Sequence, residues 1–102
     1  MIFVYTTCKN KKEAEKIGLV LLKKRLVACV LAIPNVSSSY RWLGKIKKTS
    51  EAILLLKTLS QKFSQIEREV KKLHSYTVPI IAAIPVSRVN SYFLKWLKKE
   101  FK

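Results

Sequence analysis

This chain contains no aspartate at all. That absence removes paired-aspartate acid–base chemistry and every nucleophile triad anchored on aspartate. Its only glycines are Gly18 and Gly44, too few and too far apart for a loop that cradles phosphate. A single histidine, His74, and two cysteines, Cys8 and Cys29, form no CxxC or HxxxH pair. Neither an intrachain zinc motif nor a secreted disulfide framework is available. No apolar run approaches the roughly 20 residues of a transmembrane helix. The opening stretch, MIFVYTTCKN, has no basic segment and no small-residue cleavage site, so a signal peptide is not expected and a cytoplasmic location is. No residue set argues for catalysis, and the reading is a non-enzyme without an organic cofactor.

What is present points to a folded protein. The 102 residues are 49% hydrophobic, enough for a single domain, 1–102, with one modest core. Charge is the outlier. Twenty-one Lys and Arg against six Glu give +15. The cations fall in short groups along the whole chain, from Lys9, Lys11 and Lys12 to Lys98, Lys99 and Lys102. That spread suits the solvated faces of several elements better than one phosphate-tracking stripe, so nucleic acid is not the expected partner.

The pattern predicts a strand over Ile2–Thr7, then a helix capped by Asn10 with Glu13 three residues on, running to about Leu26. Gly18 sits on its apolar face, where a close approach to a sheet would repay the lost helix propensity. Val27–Pro34 reads as an apolar strand, and Ser37–Lys45 alternates. Gly44 allows a turn, and Glu51–Thr58 is again apolar. Together these predict a long two-stranded arm with an irregular tip. Ser60 is positioned to cap a second helix, whose Phe63, Ile66, Val70 and Leu73 make an apolar stripe ending near His74. A fourth strand is expected from Pro79 to Val86, and a last helix after Asn90. The order βαββαβ plus a C-terminal helix predicts an α+β, ferredoxin-like sandwich. The strands are almost wholly apolar, so both sheet faces should be covered, and two helices cannot cover both. Oligomerisation through the open face follows.

Several side chains carry possible chemistry. Cys8 lies just before a helix N-terminus, a position that lowers a thiol pKa, and thiolate and imidazole both suit copper. Cys29, inside an apolar strand, reads as a buried small hydrophobe. His74 is either a helix-ending residue or a ligand. Tyr40 and Trp42 either pack across the arm or stack a ligand. Lys57 stands among leucines, where a cation needs a partner or an edge, and Glu51 shares its sheet face.

Taken in order, RLVACV (Arg25–Val30), Pro34, SSYRWLGKI (Ser38–Ile46), EAILLLKT (Glu51–Thr58), LHSYTVP (Leu73–Pro79) and YFLKWL (Tyr92–Leu97) resemble the CutA family of divalent-cation tolerance proteins. The resemblance covers nearly the whole chain. It implies a homotrimer with an architecture like the PII signalling proteins, long arms reaching neighbours, and clefts between subunits. It also implies a role in tolerance of copper and other divalent cations, with no established catalysis. By position, Tyr40, Trp42, Glu51, Lys57, His74, Tyr76 and Pro79 fall near a subunit cleft, with His74 and Cys8 as the metal ligands. The other reading of such a cleft is a signalling module that holds an anionic small molecule on Lys57 with Tyr40 or Trp42 stacked on it. The chain departs from the family pattern at Ser75, where the family usually has proline, and at Ile80, where it usually has Glu. Thr6 and Leu73 stand where some members carry Cys and His.

Overall fold

The computed structural model describes all residues, 1–102. Strand β1 (Ile2–Cys8) is followed by α1 (Lys11–Lys23), β2 (Cys29–Trp42), β3 (Lys45–Thr58), α2 (Phe63–Leu73), β4 (Ala82–Pro85) and α3 (Ser91–Lys99). The four strands form one antiparallel sheet in the order β2-β3-β1-β4. This is the ferredoxin-like α+β arrangement that the element order predicts.

Along β1 and the second half of β3, buried and half-buried residues alternate. Val4, Leu54 and Leu56 point to the helices and join Ile17, Leu21, Ile66 and Val70 in one core. Phe3, Tyr5, Ile53 and Leu55 point the other way. On β2, Leu31 and Ile33 are 41% and 42% exposed. The helices therefore cover one face only, and the expected cover of the second face does not come from within the chain.

Helix α1 starts as predicted. Asn10 Oδ1 accepts the Glu13 amide at 2.9 Å. The helix stops at Lys23, earlier than expected, because the Arg25 amide donates to the Leu22 carbonyl and the Leu26 amide to the Leu21 carbonyl. These two bonds are a Schellman motif, with Arg25 at φ +59° in the place glycine usually takes. The Arg25 guanidinium reaches the Glu100 carbonyl at 2.8 Å and the Lys102 carbonyl at 3.3 Å, tethering the end of α3.

The arm is longer and more regular than its sequence suggests. Strand β2 runs unbroken from Cys29, and β3 begins at Lys45. Pro34 survives within β2 because one extra residue bulges between the pairs Ile33↔Ile53 and Val36↔Glu51, with Asn35 at φ +59°. The tip is a two-residue turn, not an irregular loop. Leu43 and Gly44 both have positive φ, the signature of a type I′ hairpin, and Trp42 faces Lys45.

The second half departs in small ways. Ser60 opens a 3-10 turn, and no side chain caps α2. Strand β4 is confined to Ala82–Pro85, which pair with Tyr5 to Ile2 of β1. Pro79 lies in the connection ahead of it. No helix is long and apolar enough to cross a membrane.

Candidate functional site

The end of β1, the start of α1 and the end of α2 meet at one corner. There Cys8 Sγ, a Glu13 carboxylate oxygen and a His74 ring nitrogen lie within 4.8 Å of one another. Each is placed by its element. Cys8 ends β1, Glu13 is in the first turn of α1, and His74 is the residue that leaves α2 for extended backbone, at ψ 139°.

Hydrogen bonds fix all three. The His74 Nε2–H donates to the Thr7 carbonyl at 2.8 Å, and Nδ1 accepts the Tyr76 amide at 3.1 Å. A carbonyl only accepts and an amide only donates, so this pattern assigns the ring proton to Nε2. Glu13 Oε1 accepts the Lys9 amide and Oε2 the Ser75 amide, each at 2.9 Å. Burial pushes the Glu13 carboxyl upward, but the bonds from Ser75 and Lys9 and the nearby His74 ring outweigh it, and its pKa lies below the ordinary value.

Cys8 behaves opposite to the sequence expectation. Its position before a helix N-terminus suggested a lowered pKa. Burial, and after it the Glu13 and Glu51 carboxylates, instead push the thiol up to about 12. Desolvation and two negative charges outweigh the helix end, so the sulfur rests as a thiol. Glu13 is the member of this trio that sequence reasoning missed. Its place in the capping box was visible, but its closeness to Cys8 and its bond to Ser75 depend on the fold.

A second feature lies beside the first, towards the open sheet face. One face of the arm, carrying Tyr40 and Trp42, looks across at the Ser75–Ile80 connection, and the two flank an open cleft of about 680 Å3. Glu51 lies in this cleft, only 9% exposed, and accepts the Tyr76 hydroxyl at 2.6 Å. Burial raises the Glu51 carboxyl, but bonds from Tyr76, Ser38 and Thr7 and the nearby His74 ring bring its pKa below the ordinary value. Burial and the Glu51 carboxylate in turn push the Tyr76 phenol well up. Tyr76 thus joins the two features: its amide holds His74 and its hydroxyl holds Glu51.

The structure gathers Tyr40, Trp42, Glu51 and Tyr76 around this cleft, and Cys8 with His74 behind it. It does not bring Lys57 to them within one chain. Lys57 shares the Glu51 face but sits roughly 20 Å along β3, at ~3.3 Å per residue. Its Nζ lies 5.2 Å over the Phe93 ring of α3, a cation–π contact that answers the sequence question of what pairs it. The cations near the cleft are Lys9 and Lys47 instead. Cys29 is half-buried on the open face rather than buried.

Comparison with known proteins gives a consistent result. The family described as "CutA1 divalent ion tolerance protein" matches residues 2–100. The "Divalent-cation tolerance protein CutA" of Archaeoglobus fulgidus is 44% identical over 95 residues, which span 93% of this chain and 92% of the relative. Among solved structures, the "Periplasmic divalent cation tolerance protein CutA" from Archaeoglobus fulgidus superposes with a TM-score of 0.95 at 42% identity, covering 100% of both chains. The "Divalent cation tolerance protein (Cut A1)" from Thermus thermophilus gives 0.93 at 37% identity, again over 100% of both. These relatives are named for tolerance, not for a catalysed reaction.

Proposed function

The chain belongs to the CutA1 divalent ion tolerance family, and from that membership we propose that it serves cation tolerance by reversibly holding a divalent ion, copper foremost, at Cys8, Glu13 and His74, without catalysing a reaction. The observation that carries this reading is the convergence of sulfur, imidazole and carboxylate donors within 4.8 Å. Such a mixed set suits copper, zinc or cadmium over magnesium or calcium. The ion is cargo here, and the residues' work is to release what they now hold. A His74 nitrogen must give up the Thr7 carbonyl or the Tyr76 amide, and Cys8 must lose its proton. Both steps weaken binding, and the second makes affinity rise with pH.

The working unit in this proposal is a cytoplasmic homotrimer of the single domain. The half-exposed Phe3, Tyr5, Leu31, Ile33, Ile53 and Leu55 on the uncovered sheet face support assembly. Two free cysteines, with no partner for either in the chain, support a reducing compartment, in contrast to the relative described as periplasmic.

The test is calorimetric titration of Cu(II), and of redox-inert Cd(II), into the protein and into Cys8→Ser and His74→Ala. Saturable binding near one ion per chain, at least about tenfold weaker in both variants, is expected. The same binding in all three proteins, or no saturable binding in any, would overturn the assignment. Thermal unfolding of each variant separates loss of a ligand from loss of the fold.

A further inference from the structure

Tyr76 is pinned along its whole length. Its amide donates to His74 Nδ1 at 3.1 Å. Its ring lies against the imidazole, with centroids 4.8 Å apart and planes inclined at 41°. Its hydroxyl donates to the buried Glu51 carboxylate at 2.6 Å. The amide is thus held at the corner where α2 ends, and the hydroxyl on β3.

A neutral imidazole carries one N–H and one bare nitrogen. In His74 the N–H is at Nε2, on the Thr7 carbonyl, and the bare nitrogen is Nδ1, on the Tyr76 amide. If Nδ1 takes the ion, the Tyr76 amide leaves directly. Nε2–H then keeps the Thr7 carbonyl, the backing usual for a ligating histidine. If Nε2 takes the ion, the ring proton moves to Nδ1, where it faces the Tyr76 N–H. Two donors repel, so the amide leaves by this route as well. Glu13 makes no such demand, because its carboxylate has lone pairs beyond those that accept the Lys9 and Ser75 amides.

We propose that Tyr76 is a latch on the cation site: its hydroxyl on Glu51 holds its amide on His74, and the Tyr76–Glu51 bond must break before His74 ligates. The latch rests on the cation reading of Cys8, Glu13 and His74 and supplies its regulation. Tyr76 is a positioning residue, acting through His74 and touching no ion. Its ring and hydroxyl are fixed as well as its amide, so the residue moves as a unit. Tyr76 belongs to the connection that borders the open cleft. Unlatching therefore carries the occupancy of a buried corner out to that connection, and leaves Glu51 with its bonds from Ser38 and Thr7.

The experiment uses Tyr76→Phe, which removes the hydroxyl, keeps the ring and changes no charge. In calorimetric titration with Cd(II), the variant should bind about tenfold tighter or more than the native protein, the worth of a hydrogen bond to a charged acceptor. Tyr40→Phe removes another hydroxyl at the same cleft and should bind as the native protein does. His74 is the only histidine, so its ring nitrogens are identified directly in long-range proton–nitrogen spectra. In the ion-free protein these should place the proton on Nε2, and the Tyr76 amide should be protected from hydrogen exchange. Saturating Cd(II) should abolish that protection, and Tyr76→Phe should lower it before any ion is added. A tyrosine with a structural role alone would lower the unfolding midpoint in Tyr76→Phe without tightening Cd(II). That result, or a Tyr76 amide still protected in the loaded protein, would overturn the latch and leave the cation site standing. Absence of saturable Cd(II) binding to the native protein would overturn the site and the latch together.

Discussion

Replacing Gly18 by alanine sets two effects of known sign against each other. Gly18 lies inside α1 and is buried against β2. A Cβ built there would stand 2.4 Å from Val30 Cγ1, 3.2 Å from Cγ2 and 3.3 Å from Val30 Cβ. Ordinary contact begins near 3.4 Å, so the added methyl overlaps Val30 by about an ångström. Val30 is β-branched and stiff at χ1, and it packs against the core, so it cannot swing aside. Overpacking of this kind costs about 1–3 kcal/mol. Alanine in a helix interior returns about 1 kcal/mol relative to glycine. The net expectation is a destabilisation between ~0 and ~2 kcal/mol, with the clash winning. The sharper expectation concerns sign. In a Val30→Ala background the clashing methyls are gone, and the same Gly18→Ala change should stabilise by about 1 kcal/mol. Guanidinium unfolding of the four proteins at one fixed concentration, which removes any effect of assembly, yields the cycle directly. Stabilisation by Gly18→Ala in the native background, or an equal cost in both backgrounds, would refute the close-approach argument.

Two further expectations follow from the same geometry. Gly44→Ala meets nothing within 4 Å, so its cost of about 1–2 kcal/mol is purely the positive φ of the turn, and Val30→Ala should not change it. A full rescue by a second-site core change would show that the turn conformation is not the cause. Glu13 and Glu51 both have folded pKa values below the ordinary 4.5. Their stabilisation is therefore complete above that value and lost as pH falls through the folded values, so unfolding midpoints should drop steeply on acidification below about pH 4.5. Glu13→Gln should flatten that drop, and a variant curve parallel to the native one would remove Glu13 from the account.

The sequence carried those parts of the structure that depend on near neighbours. Asn10 and Glu13 announced a helix start, Gly18 a close packing, and the apolar stripe of α2 its buried face. The end of α1 was hidden because an arginine, not a glycine, occupies the left-handed position, and its reason for being there is 75 residues away at Glu100. The full length of the arm was hidden because Lys45–Ser50 is exposed on both sides and has no hydrophobic alternation to read. The candidate site was legible in part. Tyr40, Trp42, Glu51 and Tyr76 were named and do meet, whereas Lys57, which the family resemblance placed with them at a cleft between subunits, shares the Glu51 face but lies far along it within one chain. Glu13 was missed as a neighbour of Cys8 and His74, since its partner Ser75 lies 62 residues on. The state of Cys8 was misjudged because its burial, and after it the carboxylates brought from α1 and β3, arise only in the folded chain.

The two-residue turn at Leu43–Gly44 also has a consequence in time. Strands β2 and β3 are joined by the shortest possible connection, so closing their ladder costs little chain entropy, and hairpins of this kind form in about 1–10 microseconds. Strand β1 has no such advantage. It leaves the ribosome first, yet its partners are Ala52–Thr58 on one side and Ala82–Pro85 on the other. It must wait for most of the chain before it can slot between them. The arm is thus the most local pairing in the sheet, and the pairings of β1 are the ones that must close the longest stretches of chain.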